Sequence, residues 1–183
     1  CRRGFDPSPL KELNLRVLKV SPEPTIESIQ GYWYEVKNKE FDYVLAIGGG
    51  SVIDVAKILA TRMENDERIE NFIGVGKIKH KMKKLIAVPT THGTGSEVTK
   101  YAVVKCKDTK STVVSENIYP SVAIIDEKLT LGLPKDLTIY TSIDALCHNI
   151  EAYLTKICDP LTDVACESGI GFFFDGIEDA ITD

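Results

Sequence analysis

The 183-residue sequence predicts an α/β fold, a parallel or mixed sheet covered on both faces by helices and followed by a helices-only region. Three observations carry this. Fully apolar runs of strand length, Val44 to Ile47 and Leu85 to Val88, alternate with segments whose apolar residues recur at helical spacing. The first run passes through Gly48-Gly49-Gly50 straight into Val52, Val55, Ala56, Leu59 and Ala60, a strand, a tight turn and a helix. After Pro134 the strand pattern stops, and Pro134 to Tyr140, Ser142 to Leu154 and Leu161 to the end are helical in period.

In chain order, Leu15 to Val20 predicts a short strand, and Ser21-Pro22-Glu23-Pro24-Thr25 a rigid turn opening a helix through about Lys39. Ile26, Ile29, Trp33 and Val36 keep that helix's apolar face. Tyr43 to about Arg62 is the strand–Gly–helix unit, and Leu85 to Val88 the next strand. Thr99 to Lys105 and Ser111 to Val114 pair as a hairpin around Lys107-Asp108-Thr109, and Val122 to Ile125 predicts one more strand. A domain boundary is expected near Pro134.

Composition excludes several function classes. The net charge of -5 is mildly acidic, and the Lys-rich stretch Lys77 to Lys84 is too short and isolated for a nucleic-acid surface, so it predicts a solvated loop. No run approaches the ~18 apolar residues of a membrane span, and the N-terminal residues lack a secretory apolar core, which points to the cytoplasm. Five cysteines without C-x-x-C spacing predict reduced thiols.

Three stretches can carry chemistry. In the glycine turn, Gly48, Gly49 and Gly50 let backbone approach a ligand, and Ser51 can cap a helix whose first N–H groups suit a phosphate; the alternative is a bare connection with Ser51 and Asp54 as a capping pair. Thr90 to Ser96 offers four hydroxyls and two glycines directly after a buried strand, where α/β sheets bind ligands, although such loops also serve as ordinary turns. Asp144 and His148, four apart on a helix, project from one face and can share an ion; an O,N pair suits iron or zinc, and a plain surface hydrogen bond is the alternative. Cys147, off that face, predicts core packing.

In this order, SPEPTIESI (Ser21 to Ile29), FDYVLAIGGGSVIDVAKILA (Phe41 to Ala60), PTTHGTGSEVT (Pro89 to Thr99), PSVAIIDEKL (Pro120 to Leu129) and IDALCHNIEAY (Ile143 to Tyr153) resemble the iron-containing, or group III, alcohol dehydrogenase family. The resemblance implies a Rossmann-like dinucleotide-binding α/β domain with a parallel sheet over 1–134, lacking its first strand, and the beginning of an all-helical metal-binding domain over 135–183. It implies NAD or NADP and a divalent metal, Fe2+ before Zn2+, in the cleft between the two. Gly49, Gly50 and Ser51 match the pyrophosphate turn, Thr90, Thr91, Thr94 and Thr99 the second cofactor loop, and Lys110 the lysine that reaches the cofactor ribose. Asp144 and His148 match the first two metal ligands. The implied reaction interconverts a small alcohol and its aldehyde or ketone, in a homo-oligomer when full length, without nucleic acid or membrane.

The family's other two ligands are histidines past the position of Asp183, and His80 and His92 correspond to neither. The 183-residue chain is therefore expected to be inactive alone, to bind metal weakly and to expose apolar surface. His92 stands where a small residue is usual; it either points toward the nicotinamide or is a partly exposed loop histidine. Two rival readings remain: a relative such as glycerol dehydrogenase or dehydroquinate synthase, and a non-catalytic nucleotide-binding module.

Overall fold

The strand at Val44–Gly48 (β1) is built from residues with no polar side chain, so it is stable only between covering layers. In the computed structural model, which describes residues 8–10, 12–157 and 159–182, it pairs in parallel with Leu85–Pro89 (β3), which in turn pairs in parallel with the two-residue strand Val122–Ala123 (β6). A second sheet holds Gly74–Val75 (β2), Thr109–Val114 (β5) and Tyr101–Cys106 (β4), in that order. β2 runs parallel to β5, and β4 antiparallel to it. The strands thus form two three-stranded sheets, one all-parallel and one mixed. The hairpin's turn is shorter than expected, two residues with Lys107 at φ 54, because pairing continues to Cys106 and Thr109.

Helix α1 spans Ile26–Val36 and starts where Thr25 caps it, its Oγ1 accepting the Ser28 N–H at 3.2 Å. It buries Ile26, Ile29 and Val36. Helix α2, Gly50–Glu64, is buried without interruption from Ile53 to Thr61. A helix enclosed on every side cannot show one clean apolar stripe, which is why its polar positions Asp54, Lys57 and Thr61 are inside too.

The segment Leu15 to Val20 is extended but is not a strand. Leu18 and Val20 pack against the core, yet among the described residues no backbone group of this segment joins a ladder, and β1 pairs only with β3. It lines an apolar cavity of about 200 Å3 together with β1 and α2. Alternation alone makes a chain extended; a strand also needs a partner edge.

The chain divides into two compact units: Cys1–Thr90 with Ser96–Asp126, and Thr91–Gly95 with Glu127–Asp183. The first holds both sheets, α1 and α2. The second holds α3 (Lys135–Leu154), α4 (Pro160–Thr182) and the short loop 91–95. α3 is one helix where two segments were expected, because nothing at Tyr140-Thr141 breaks it: the Thr141 hydroxyl donates back to the Leu137 carbonyl at 2.9 Å. α4 begins at Pro160, and Asp159 Oδ1 accepts the N–H groups of Leu161 and Thr162 at 2.9 Å each. Gly169 lets α4 lie against Asn149 of α3, since a Cβ there would meet Asn149 Oδ1 at 2.3 Å. No helix of the described residues is long and apolar enough to cross a membrane. Cys106, Cys147 and Cys166 are free thiols; Cys1 and Cys158, and the expectation made for the chain's first residues, lie outside the described residues.

Candidate functional site

In the first unit the site is built at the carboxyl ends of β1 and β3. Their register pairs Gly48 with Pro89, so the glycine turn and Thr90 leave the sheet at one level, and the Thr90 N–H donates to the Gly48 carbonyl at 3.1 Å. Gly48 is the glycine that packing demands: a Cβ there would stand 2.5 Å from Val52 Cγ2. Gly49 has φ -74, which any residue adopts, and is the N-cap of α2. Gly50 and Ser51 are the first two helical residues.

Ser51 therefore does not cap, and it forms no capping pair with Asp54. Gly49 stands in the cap position, has no side chain to bond the first N–H groups, and no acidic residue lies in the first turn. The positive end of a 15-residue helix thus has no side-chain cap and no carboxylate in its own first turn. Asp54 instead points inward: its carboxylate accepts the Ser96 hydroxyl at 2.5 Å and the Val103 N–H at 2.9 Å. Burial raises its pKa, against the lowering pull of those two hydrogen bonds and of Lys57.

Lys57, one turn further along α2, was not singled out by sequence. Its side chain is fully buried, and its ammonium donates to the Thr99 and Tyr101 carbonyls at 2.7 Å each and to Thr99 Oγ1 at 3.3 Å. Burial outweighs the upward pull of Asp54 and Glu97 and brings its pKa down from 10.5 to about 8. The pair Asp54 and Lys57 ties α2 to the stretch 96–103, and so sets the backbone of Thr99. The one signal available was two charges three apart inside an apolar helix.

Of the expected cofactor residues, Gly49, Gly50, Ser51 and Thr90 lie together, and Thr99 is joined to the same helix through Lys57. Lys110 is exposed on β5 opposite Lys105, and among the described residues no hydrogen bond or ion pair joins it to the glycine turn. Thr91 and Thr94 belong to loop 91–95, in the second unit.

In that second unit Asp144 and His148 share a face of α3, Nδ1 to Oδ2 3.9 Å, with both side chains about half exposed at 47% and 54%. Among the described residues no group of three or more His, Cys, Asp or Glu residues forms a metal cluster. A carboxylate and an imidazole one turn apart and open to solvent are donor types that divalent iron and zinc both accept. His148 Nδ1 also lies 3.2 Å from the Gly93 carbonyl. His92 is the partly exposed loop histidine of the second alternative, and its ring is engaged: Nε2 faces Ser142 Oγ at 2.8 Å, Thr141 Oγ1 at 3.0 Å and the Thr138 carbonyl at 3.3 Å, all on α3. Cys147 is exposed rather than in the core, because α4 covers a different strip of α3, on which Asn149 lies.

Comparison with known proteins bears on the family and the fold. The family model for iron-containing alcohol dehydrogenase matches residues 8–127. The chain is 34% identical to alcohol dehydrogenase 4 of Saccharomyces cerevisiae over 176 residues, covering 94% of this chain and 46% of that protein. With the NAD-dependent methanol dehydrogenase of Bacillus methanolicus it shares 38% over 147 residues, 79% of this chain and 39% of the other. Among solved structures, an alcohol dehydrogenase from Oenococcus oeni superposes with a TM-score of 0.85 at 33% identity, over 90% of this chain and 43% of that one. A sulfoacetaldehyde reductase from Bifidobacterium kashiwanohense, in complex with NAD+, gives 0.83 at 33%, over 89% and 44%. The chain thus spans less than half the length of these relatives. With its motifs in order, its α/β fold and these likenesses, it belongs to the iron-containing alcohol dehydrogenase family.

Proposed function

We propose that this chain carries the dinucleotide-binding part and two metal ligands of an NAD(P)-linked, metal-dependent oxidoreductase acting on a small alcohol and its aldehyde or ketone in the cytoplasm. The observation that carries the reading is the N-terminus of α2. It follows a buried parallel strand, has no side-chain cap and no acidic residue in its first turn, and stands level with Thr90. Such an end favours a pyrophosphate, with the N–H groups of Gly50 and Ser51 as donors. Thr90, together with Thr91, Thr94 and Thr99, offers hydroxyls to the rest of the nucleotide, and Lys110 a cation to the ribose. Asp144 and His148 would hold the metal, which when bound supplies a Lewis acid for the substrate oxygen. The part of these residues is to orient the two reacting carbons and to keep the ion in place.

NADH fluorescence titration of the chain tests this, with and without Fe(II) or Zn(II). Saturable binding is expected, weakened about tenfold or more in Ser51→Asp, whose carboxylate would compete for the helix end. Absence of NADH binding would refute the reading, and binding indifferent to both metal and Asp144→Asn would favour the non-catalytic module.

A further inference from the structure

The contact between His148 and Gly93 decides which ring nitrogen is available. A backbone carbonyl can only accept, so at 3.2 Å the Nδ1 of His148 must carry the hydrogen. The remaining lone pair is then on Nε2. The nearest Asp144 oxygen, 3.9 Å from the same Nδ1, is also an acceptor and favours the same tautomer.

The carbonyl is held in place by unusual backbone. Gly93 has φ +100, a conformation that side-chain-bearing residues rarely adopt, and a Cβ on it would stand 2.1 Å from the Thr141 carbonyl oxygen. One residue earlier, the His92 ring is fastened to Thr138, Thr141 and Ser142. Loop 91–95 is therefore clamped to α3 at two adjacent residues, about two to three turns before His148. Neither a glycine clamped this tightly nor a histidine spending its ring on a helix surface is needed to make a turn.

We propose that loop 91–95 is a positioning device for His148: the Gly93 carbonyl holds the imidazole as its Nδ1–H tautomer and presents Nε2 as the coordinating atom, with His92 as the clamp. This rests on the reading of Asp144 and His148 as metal ligands. An outer-shell acceptor of this kind fixes ring orientation and raises ligand basicity, and its loss typically costs ~10–100-fold in metal affinity.

The test is a two-bond 1H–15N correlation spectrum of the 15N-labelled, metal-free chain at a pH above the imidazole range, followed by Zn(II) titration. The Nδ1–H pattern is expected for His148 in the unaltered chain, and zinc should move its Nε2 resonance. Gly93→Ala should shift His148 toward the Nε2–H form and weaken zinc binding by ~10–100-fold. An Nε2–H pattern in the unaltered chain overturns the proposal whatever zinc does, and needs no variant to fold. Unchanged tautomer and zinc affinity in a folded Gly93→Ala also overturn it. If the Nδ1–H form persists while zinc leaves the His148 ring untouched, the metal reading itself fails and the coordinating role with it.

Discussion

Replacing Lys57 by Met separates the two opposing terms of a buried charge. Met fills nearly the same space, so no cavity term enters. Removing the ammonium relieves the net penalty on the charged form: a fall in pKa from 10.5 to about 8, with the upward pull of Asp54 and Glu97 already included, is worth roughly 3 kcal/mol, at about 1.4 kcal/mol for each pH unit. Against this, the carbonyls of Thr99 and Tyr101 and the Thr99 hydroxyl lose their donor, and Asp54 loses its nearby cation. A polar group left unpaired in the interior costs ~1–3 kcal/mol, and here three acceptors lose their donor at once. The loss wins, and Lys57→Met should destabilise the chain by about 1–4 kcal/mol near neutral pH.

The pH dependence gives the sharper signature. The folded chain releases this proton near pH 8, whereas the unfolded chain keeps it to 10.5. Between those values the unfolded state binds more protons, so stability rises with pH; below 8 both states are protonated and the contribution is flat. Wild type should therefore gain about 2 kcal/mol on the Met variant between about pH 7.5 and 9.5. Urea unfolding of both proteins at several pH values measures this difference, and other titrating groups cancel in it. A gap that stays constant or closes as pH rises would refute the buried-charge reasoning, and a Met variant more stable than wild type near neutrality would refute the hydrogen-bond term.

Gly48→Ala should cost ~1–3 kcal/mol by overpacking against Val52, and Val52→Ala should recover most of it in the double variant, as thermal melts of the cycle would show. Ser51→Asp should raise helix and chain stability by ~0.3–1 kcal/mol through the α2 dipole while lowering NADH affinity, opposite signs that denaturant melts and fluorescence read separately. Leu161, Val164, Phe172 and Phe174 on α4 are 83%, 63%, 77% and 65% exposed, so light scattering should show concentration-dependent self-association. A monodisperse monomer would count against that last expectation.

The glycine turn was legible because everything that defines it lies within a few residues. An apolar run, Gly48, and a helical period from Val52 are local patterns, and so is the four-residue step from Asp144 to His148. The rigid turn from Ser21 to Thr25 that opens α1 is equally local, since the Thr25 side chain bonds Ser28 three residues on. The site's support was not legible in this way. Lys57 and Asp54 look like ordinary charged helix positions until Ser96, Thr99, Tyr101 and Val103 are brought over them from more than forty residues away. Ser51 as a cap was a plausible local choice that failed because the helix begins two residues earlier, with Gly49 as the cap and Gly50 as the first helical residue.

Local sequence was enough for the α/β class, the helix with its anion-favouring end, and the facing carboxylate and imidazole, since backbone propensity and side-chain period act over one or two turns. Partnership between distant segments was settled only by folding: the division of the strands into two sheets, the unpaired extended stretch at Leu15 to Val20, the exposure of Cys147, the clamping of His92 and Gly93 onto α3, and the burial of Lys57. The physical reason is common to all of them. Whether a polar group is buried, and whether an extended chain is a strand, depends on which distant donor or acceptor arrives opposite it, and no short window of residues contains that information.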